Sequence, residues 1–465
     1  MIDTFAIRCS ILRLAFSGKL SEQAEVDGTA TDILNRINAK KDISQTENVP
    51  YEIPDTWAWV RIADLYKVNP KVEADGETAA AFIPMERISG GFERTFTYEI
   101  QSWEQASKNH TKFADNDVAF AKITPCFENR KSFIAHDLPN GIGGGTTELI
   151  ILRQEEMLPE YTYYLLLDQR FIAAGTSSYK GMVGQQRVQS DVIKNYLVPV
   201  APYPEQMRIV EKIEHAFSIL DTIDELQAQY SDNLAVLKKK LIDAAIQGKL
   251  TEQLPEDGTA EELLQQIQTE KQPPRKAGRG KKDRSLEPIT NDEIPFEIPD
   301  SWKWCRLADI SSTNIGLTYH PEDIVGDGTI VVRSSNIINS KMDYTDLVKV
   351  RCSIRENQYL NHNDIVICAR NGSKALVGKC AIYEGESGVV SFGAFMAVLR
   401  TPFYRYVFYY LLTDAFRRYF HSDDSKQINQ VTQNILKEAV IPLPPLAEQE
   451  RIVEKLDVLM KSISA

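Results

Sequence analysis

Four polar stretches of the 465-residue chain gather side chains with forked or paired hydrogen-bond donors. "DVAFAKITPCFENRK" from Asp117 holds Lys122, Asn129, Arg130 and Lys131, and "SSYKGMVGQQRV" from Ser177 holds Lys180, Gln185, Gln186 and Arg187. Farther on, "DIVICARNGSKALVGK" from Asp364 holds Arg370, Asn371, Lys374 and Lys379, and "SDDSKQINQV" from Ser422 holds Lys426, Gln427, Asn429 and Gln430. These residue types read base edges in double-stranded DNA: a guanidinium forks onto guanine O6 and N7, and a carboxamide pairs with adenine N6 and N7. A solvated loop residue is the alternative reading of each. Thr146 and Thr147 could meet phosphates or close a turn with their hydroxyls.

No set of residues for covalent chemistry stands beside them. "GSKALVGKC" from Gly372 is the nearest approach to a phosphate-binding loop, but five residues separate its glycines and Cys380 follows Lys379 where a Ser or Thr is needed. Gly143, Gly144 and Gly145 precede "TTEL" without a dinucleotide-binding spacing and predict a plain turn. "LPPL" from Leu443 is a proline pair entering a helix, not the Pro-Pro-aromatic tetrad of an amino-methyltransferase. Six cysteines (Cys9, Cys126, Cys305, Cys352, Cys368, Cys380) include no C-x-x-C, and the six histidines stand singly, so metal-ligand spacing is missing. With no nucleophile or paired carboxylates either, a non-catalytic protein that carries no metal or cofactor fits best.

For the elements that hold these loops, the chain length predicts two or more domains, each with its own interior. Composition is that of a globular protein, 43% hydrophobic and 25% charged. No apolar run approaches the roughly 20 residues of a membrane helix, and "MIDTFAIRCSILRLAF" carries an acid and no cleavage signature; a cytoplasmic location and no membrane partner are expected.

The chain repeats itself. "GKLSEQAEVDGTA" from Gly18 returns as "GKLTEQLPEDGTA" from Gly248, with nine of thirteen positions identical at an offset of 230 residues. "EIPDTWAWVRIADL" from Glu52 returns as "EIPDSWKWCRLADI" from Glu297, and "PEQMRIVEKIEHAF" from Pro204 as "AEQERIVEKLDVLM" from Ala447. From Ile209 the positions Ile213, Ala216, Leu220, Ile223, Gln227, Tyr230, Leu234, Leu237, Leu241 and Ala244 follow heptad spacing, with Gln227 the polar exception. Pro204 suits a first helical turn and Gly248 the position just past the end, so one helix of on the order of 60 Å is expected from Glu205 to Gln247. Ile452, Leu456, Leu459 and Ile463 match its first half, and Ile7, Ile11 and Leu14 its second. The terminal helices therefore read as a second copy of the central helix cut in two, giving a cyclic order of module, helix, module, helix. Unrelated amphipathic helices packed on the domains are the alternative.

Between the helices lie two less similar segments. Each opens with "EIPD.W.W", continues through a strand-like run ending near a cation, and carries a tyrosine-rich helix, "YYLLLDQRF" from Tyr163 or "YYLLTDAFRRYF" from Tyr409. A polar loop follows, then a closing strand, "NYLVPV" or "EAVIPL". A repeated scaffold with divergent loops suits two readers of different targets.

The order of two divergent segments and repeated helices, with "IPLPPLAEQERIVEKLD" and "GKLTEQ", resembles the specificity subunit of type I restriction-modification systems. The resemblance spans essentially the whole chain. It implies an α/β (α+β) fold: two similar mixed α/β target-recognition domains separated by a long antiparallel coiled-coil helix pair, related by an internal pseudo-two-fold repeat. The expected division is 1–47, N-terminal helix and linker; 48–200, first recognition domain; 201–270, central helix; 271–295, basic linker; 296–443, second recognition domain; and 444–465, C-terminal helix. By the same resemblance each domain binds half of a split double-stranded DNA target, and the helices set the gap and dock methyltransferase subunits, two of them. S-adenosylmethionine would serve those partners in adenine methylation, and ATP and Mg2+ the restriction subunits. In the family's pattern the C-terminal helix runs on, whereas here it stops at Ala465, matching Thr222 of the central helix.

Charge weighs against DNA binding, since the net is -12 and DNA-binding domains are usually basic. Residues 60–198 hold 15 Lys plus Arg against 18 acids and residues 306–440 hold 15 against 14, so most of the deficit lies in helices and linkers. Near-neutral readers bind if their cations share one face and partners add phosphate contacts. "KQPPRKAGRGKKDR" from Lys271 reads as a disordered linker or a non-specific phosphate contact. A coiled-coil scaffold binding only protein, and an autonomous DNA-modifying enzyme, remain the alternative functions.

Overall fold

The computed structural model describes residues 1–37, 49–154, 156–182, 184–270, 287–420 and 430–463. The expected linker is thus described only from residue 287, and the run from Lys271 to Arg284 lies outside the described residues. The chain is mixed α/β and divides into two compact units, Met1–Gln229 and Tyr230–Ala465, the division falling inside one helix, Tyr203–Ile246. That helix matches the expected span of Glu205 to Gln247, and Gly248 beyond it takes φ 71°, the left-handed conformation that closes a helix. No helix among the described residues is long and apolar enough to cross a membrane.

In the first unit, the helix Thr4–Ala15 is capped by Asp3, whose carboxylate accepts from the Ala6 amide at 2.9 Å. The seam expected through Ile7, Ile11 and Leu14 is displaced. The buried stripe is Thr4, Arg8, Leu12 and Ala15, while Ile7 and Leu14 are exposed. The cause is Arg8, only 5% exposed, which donates to Asp221 at 2.9 Å, to Asp224 at 2.8 Å and to the Phe217 carbonyl, and lies over the Phe92 and Phe217 rings. Thr4 bonds Asp224, and Ile2 exchanges backbone bonds with the Gln227 side chain. As these partners advance along one segment they retreat along the other, so the two run antiparallel. Phe217, not Ala216, is buried beside Ile209, Ile213 and Leu220, because this part of the helix packs on a globular interior.

Four strands of the first unit form an antiparallel sheet in the order Lys67–Val68, Leu149–Arg153, Val118–Ala121, Ser132–Ile134. A second sheet runs Glu99–Ser102, Ala79–Ile83, Ile142–Gly145, Thr111–Ala114, with Ala79–Ile83 and Ile142–Gly145 parallel. Gly143 to Gly145, expected as a turn, are therefore strand. A Cβ on Gly144 would stand 1.8 Å from the Ala106 carbonyl oxygen, so the glycines serve close backbone approach. Ala58–Arg61 pairs with Leu197–Val200, whose Pro199 carbonyl accepts from the buried Tyr161 hydroxyl at 2.9 Å.

In the second unit, an antiparallel sheet runs Ser312–Ile315, Met396–Arg400, Ile365–Cys368, Cys380–Ile382. A further sheet runs Val348–Val350, Ile324–Val332, Val390–Phe392, its last pair parallel. Lys303–Arg306 pairs with Val440–Leu443, and the Tyr406 hydroxyl donates to the Pro442 carbonyl at 2.7 Å. The unit ends in the helix Leu446–Ser462, which buries Ile452, Val453 and Leu456. On the stretch of the Tyr203–Ile246 helix in this unit, Ile242, Ala245 and Ile246 are buried and Leu241 is partly covered, one position from the expected heptad.

The repeated phrases build a joint in each unit. Glu205, 1% exposed, accepts from Ser21 Oγ at 2.7 Å, Gln23 Nε2 at 2.8 Å and Trp57 Nε1 at 2.8 Å. Glu448 accepts from Thr251 Oγ1 at 3.0 Å, Gln253 Nε2 at 2.9 Å and Trp302 Nε1 at 2.8 Å. Arg208 forks onto Asp27, and Arg451 onto Asp257. Each arginine holds its partner carboxyl below the usual range, chiefly through the hydrogen bond. Both oxygens of Glu205 and of Glu448 are hydrogen-bonded, as burial of a polar group requires.

Candidate nucleic-acid interface

In the first unit the strand Val118–Ala121 delivers Lys122, and the Lys122 carbonyl accepts from the Val188 amide at 2.9 Å. The Thr124 amide donates to the Gln186 carbonyl at 2.9 Å, so a loop is pinned beside the strand end. Reciprocal amide-to-carbonyl bonds between Lys180 and Arg187 close that loop at 3.2 and 3.0 Å, and Gly181 and Gly184 take positive φ within it. Lys122, Lys180, Gln185, Gln186 and Arg187 are thereby brought together, with Lys180, Gln185 and Arg187 exposed. Lys122 Nζ donates to the Thr147 carbonyl at 2.8 Å, and the Thr146 carbonyl accepts from the Leu149 amide in the adjoining turn. Arg187 forks onto Glu148 at 2.7 and 2.9 Å, and this hydrogen bonding holds the Glu148 carboxyl below its ordinary range.

The remaining first-unit candidates stand apart. Asn129 is exposed, but its carbonyl is bonded to the Gly91 amide at 2.7 Å. Arg130 is 5% exposed, donates to the Leu167 carbonyl at 3.1 Å and to Gln169, and lies over the Phe5 and Phe92 rings. Burial also pushes its guanidinium below the usual arginine range. Arg130 is thus a core cation in this structure and offers no fork to a base. Lys131 Nζ is tied to the Met85 carbonyl at 2.8 Å, linking the strand-end loop to the neighbouring sheet.

In the second unit the strand Ile365–Cys368 delivers Arg370, and the Ala369 carbonyl accepts from the Val431 amide at 2.8 Å. Arg370 is exposed and its Nε donates to Gln430 Oε1 at 3.0 Å. Asn371 donates to Ser334 Oγ at 3.0 Å and accepts from the Ser373 amide, and Lys374 opens an exposed turn. Lys379, like Lys131, is tied to a carbonyl, that of Ile337 at 2.8 Å. Arg370, Asn371, Lys374 and Gln430 therefore gather at one edge; Lys426, Gln427 and Asn429 lie outside the described residues.

Two exposed apolar residues at these edges escaped the sequence reading: Met182 in the first-unit loop and Phe395 beside Arg370. "SFGAFMAVLR" reads as a continuous buried strand, and its glycine is the one sign of the turn that turns Phe395 outward. Among the described residues no group of three His, Cys, Asp or Glu is placed to hold a metal ion. The arrangement offers donors and apolar tips on two loop edges.

Residues 299–465 match the family model described as the type I restriction modification DNA specificity domain. The chain is 31% identical to the type I restriction enzyme EcoAI specificity subunit of Escherichia coli over 99% of this chain and 90% of that protein. To the EcoEI specificity subunit, also of Escherichia coli, it is 29% identical over the same shares. A chain of a solved structure of a type I R-M system, reported for its complex assembly and conformational transition, shares the fold with a TM-score of 0.62 at 20% identity, covering 89% of this chain and 93% of that one. The chain belongs to the specificity subunits of type I restriction-modification systems, and is a non-catalytic member of them.

Proposed function

We propose that the chain reads a bipartite double-stranded DNA target, one recognition domain per half-site, and docks the subunits that act on it. The reader edges are Lys122, Lys180, Gln185, Gln186 and Arg187 with Asn129 at the margin of 48–200, and Arg370, Asn371, Lys374, Lys426, Gln427, Asn429 and Gln430 in 296–443. The observation that carries this reading is a shared seat with different occupants. In each unit a valine amide, that of Val188 or Val431, donates to the carbonyl just past a central strand, that of Lys122 or Ala369, yet the exposed side chains described there differ. Base edges are read by such side chains, and different sets read different sequences.

The segments 1–47, 201–270 and 444–465 serve as the scaffold, an antiparallel coiled-coil pair relating the two domains by a pseudo-two-fold repeat, with 271–295 as a linker. Two methyltransferase subunits and the restriction subunits are its partners; S-adenosylmethionine, ATP and Mg2+ belong to them and none to this chain. Support for docking comes from Leu226, Tyr230, Val236 and Leu237, large apolar side chains exposed on one helix.

Arg370→Ala tests the reading. With the methyltransferase subunits present, mapping of methylated sites should show relaxed specificity in one half-site, at roughly 1 to 3 kcal/mol for a lost bidentate base contact, and no change in the other. Equal loss in both halves would make Arg370 a general support of affinity or folding.

A further inference from the structure

We propose that the Phe395 ring packs against the 5-methyl group of a thymine in the half-site read by the second unit, an assignment that rests on the DNA-reading function proposed above. Phe395 is 61% exposed, and no aromatic ring of the described residues stacks on it. A single exposed phenylalanine is ordinary on a protein surface. Its seat is not. The Phe395 carbonyl accepts from the Ala369 amide at 2.9 Å and the Arg370 amide at 3.0 Å, which ties the ring's root to the backbone of Arg370. The Met396 amide closes the turn onto Gly393 at 2.8 Å. From the other side the Leu317 amide donates to Phe392 and the Gly316 amide to Met396, with Gly316 packed so closely that an added Cβ would stand 2.2 Å from the Gly393 oxygen. The ring is presented from a turn held on two sides.

The first unit has a side chain in the corresponding bond pattern. There the Lys122 amide donates to the carbonyl of Glu148 at 2.8 Å, and the Glu148 carboxylate holds Arg187. One unit thus places an acid where the other places a hydrocarbon ring. Among base edges in the major groove, the thymine methyl is the apolar feature, and phenylalanine is one of the side chains that meet it. Arg370, whose Nε donates to Gln430 Oε1 at 3.0 Å, shares its backbone amide with the Phe395 carbonyl, so an apolar contact from Phe395 would fall near the base steps that Arg370 and Gln430 read.

The test is a cycle crossing a protein change with deletion of the methyl group. The full chain, assembled with its methyltransferase subunits, is titrated with duplexes carrying the mapped target, in which each thymine of the second half-site is replaced in turn by deoxyuridine. One replacement should weaken binding by the unaltered chain about fourfold, the worth of one buried methyl, and should leave Phe395→Ala unaffected. Phe395→Leu should keep part of that sensitivity. Replacements that weaken both proteins equally, or a half-site without thymine on either strand, would overturn the assignment. A Phe395-dependent rise in 2-aminopurine fluorescence would also overturn it, since the ring would then lie between bases. If Arg370→Ala still relaxes one half-site in that case, DNA reading stands and only the role of Phe395 falls.

Discussion

Trp57 Nε1 donates to the buried Glu205 carboxylate at 2.8 Å, joining the opening of the first globular segment to the start of the long helix. Ser21 and Gln23 bond the other oxygen, so two separate stretches of the chain converge on the carboxyl of a third. In the second unit Trp302, Thr251 and Gln253 meet Glu448. The three repeated phrases thus meet in one joint per unit, which explains why residues far apart in sequence are repeated together.

Glu205→Ala should destabilise the first unit by about 3 kcal/mol, because it leaves the buried donors of Ser21 and Trp57 without their acceptor. Urea unfolding followed by fluorescence of the first-unit tryptophans checks this. Glu448→Ala should move the second unit instead, and a shift of both units by either change would deny the joints their local role.

Arg130→Ala should cost about 3 kcal/mol in the stability of the first unit, since it removes a buried charged donor and its ring contacts. The DNA target should stay the same. A changed half-site in the methylation pattern would show that Arg130 reaches a base after all.

Glu293 offers a test by pH. Arg306, donating to both its oxygens, and the Thr290 amide hold the Glu293 carboxyl down to about 2 from an ordinary value of 4.5. A carboxyl whose folded value is depressed contributes stability that is full above its unfolded value and fades as pH falls toward its folded one. Unaltered protein should therefore lose second-unit stability between about pH 4.5 and 2 more steeply than Glu293→Gln. Parallel curves would mean that the pair adds nothing in solution.

Much of the scaffold was legible in the sequence. Pro204 and Gly248 bracketed the long helix because helix ends impose their own residue types, and the observed Tyr203–Ile246 follows them. The exact buried stripe was not legible. A heptad rule assumes a helix as partner, whereas Phe217 and Ile242 face globular interiors and Arg8 fills a core position by bonding two aspartates. At the reader edges, residue type located the loops but could not tell Arg187 on an exposed edge from Arg130 in a core, since both are arginines in polar company. Phe395 was missed for the converse reason: it sits in an apolar run whose turn is made by tertiary contacts.

Distance along DNA should depend on the long helix. Ala228 to Asn233 are exposed, so four residues inserted after Ser231 disturb little packing within either unit. They add about one turn, near 6 Å, and at 3.4 Å per base pair the gap between half-sites should lengthen by about two base pairs, with weaker modification from a residual rotation of about 40°. An active complex with an unchanged gap would show that the helix does not set the spacing.

The most direct measurement exchanges residues 296–443 for the matching segment of the Escherichia coli EcoAI relative and maps methylated sites genome-wide, with the methyltransferase subunits present. Two readers on one scaffold predict a target of two short elements around an unspecified gap, with the exchange replacing one element and leaving the other untouched. An uninterrupted target, or an exchange that alters both elements together, would contradict the account.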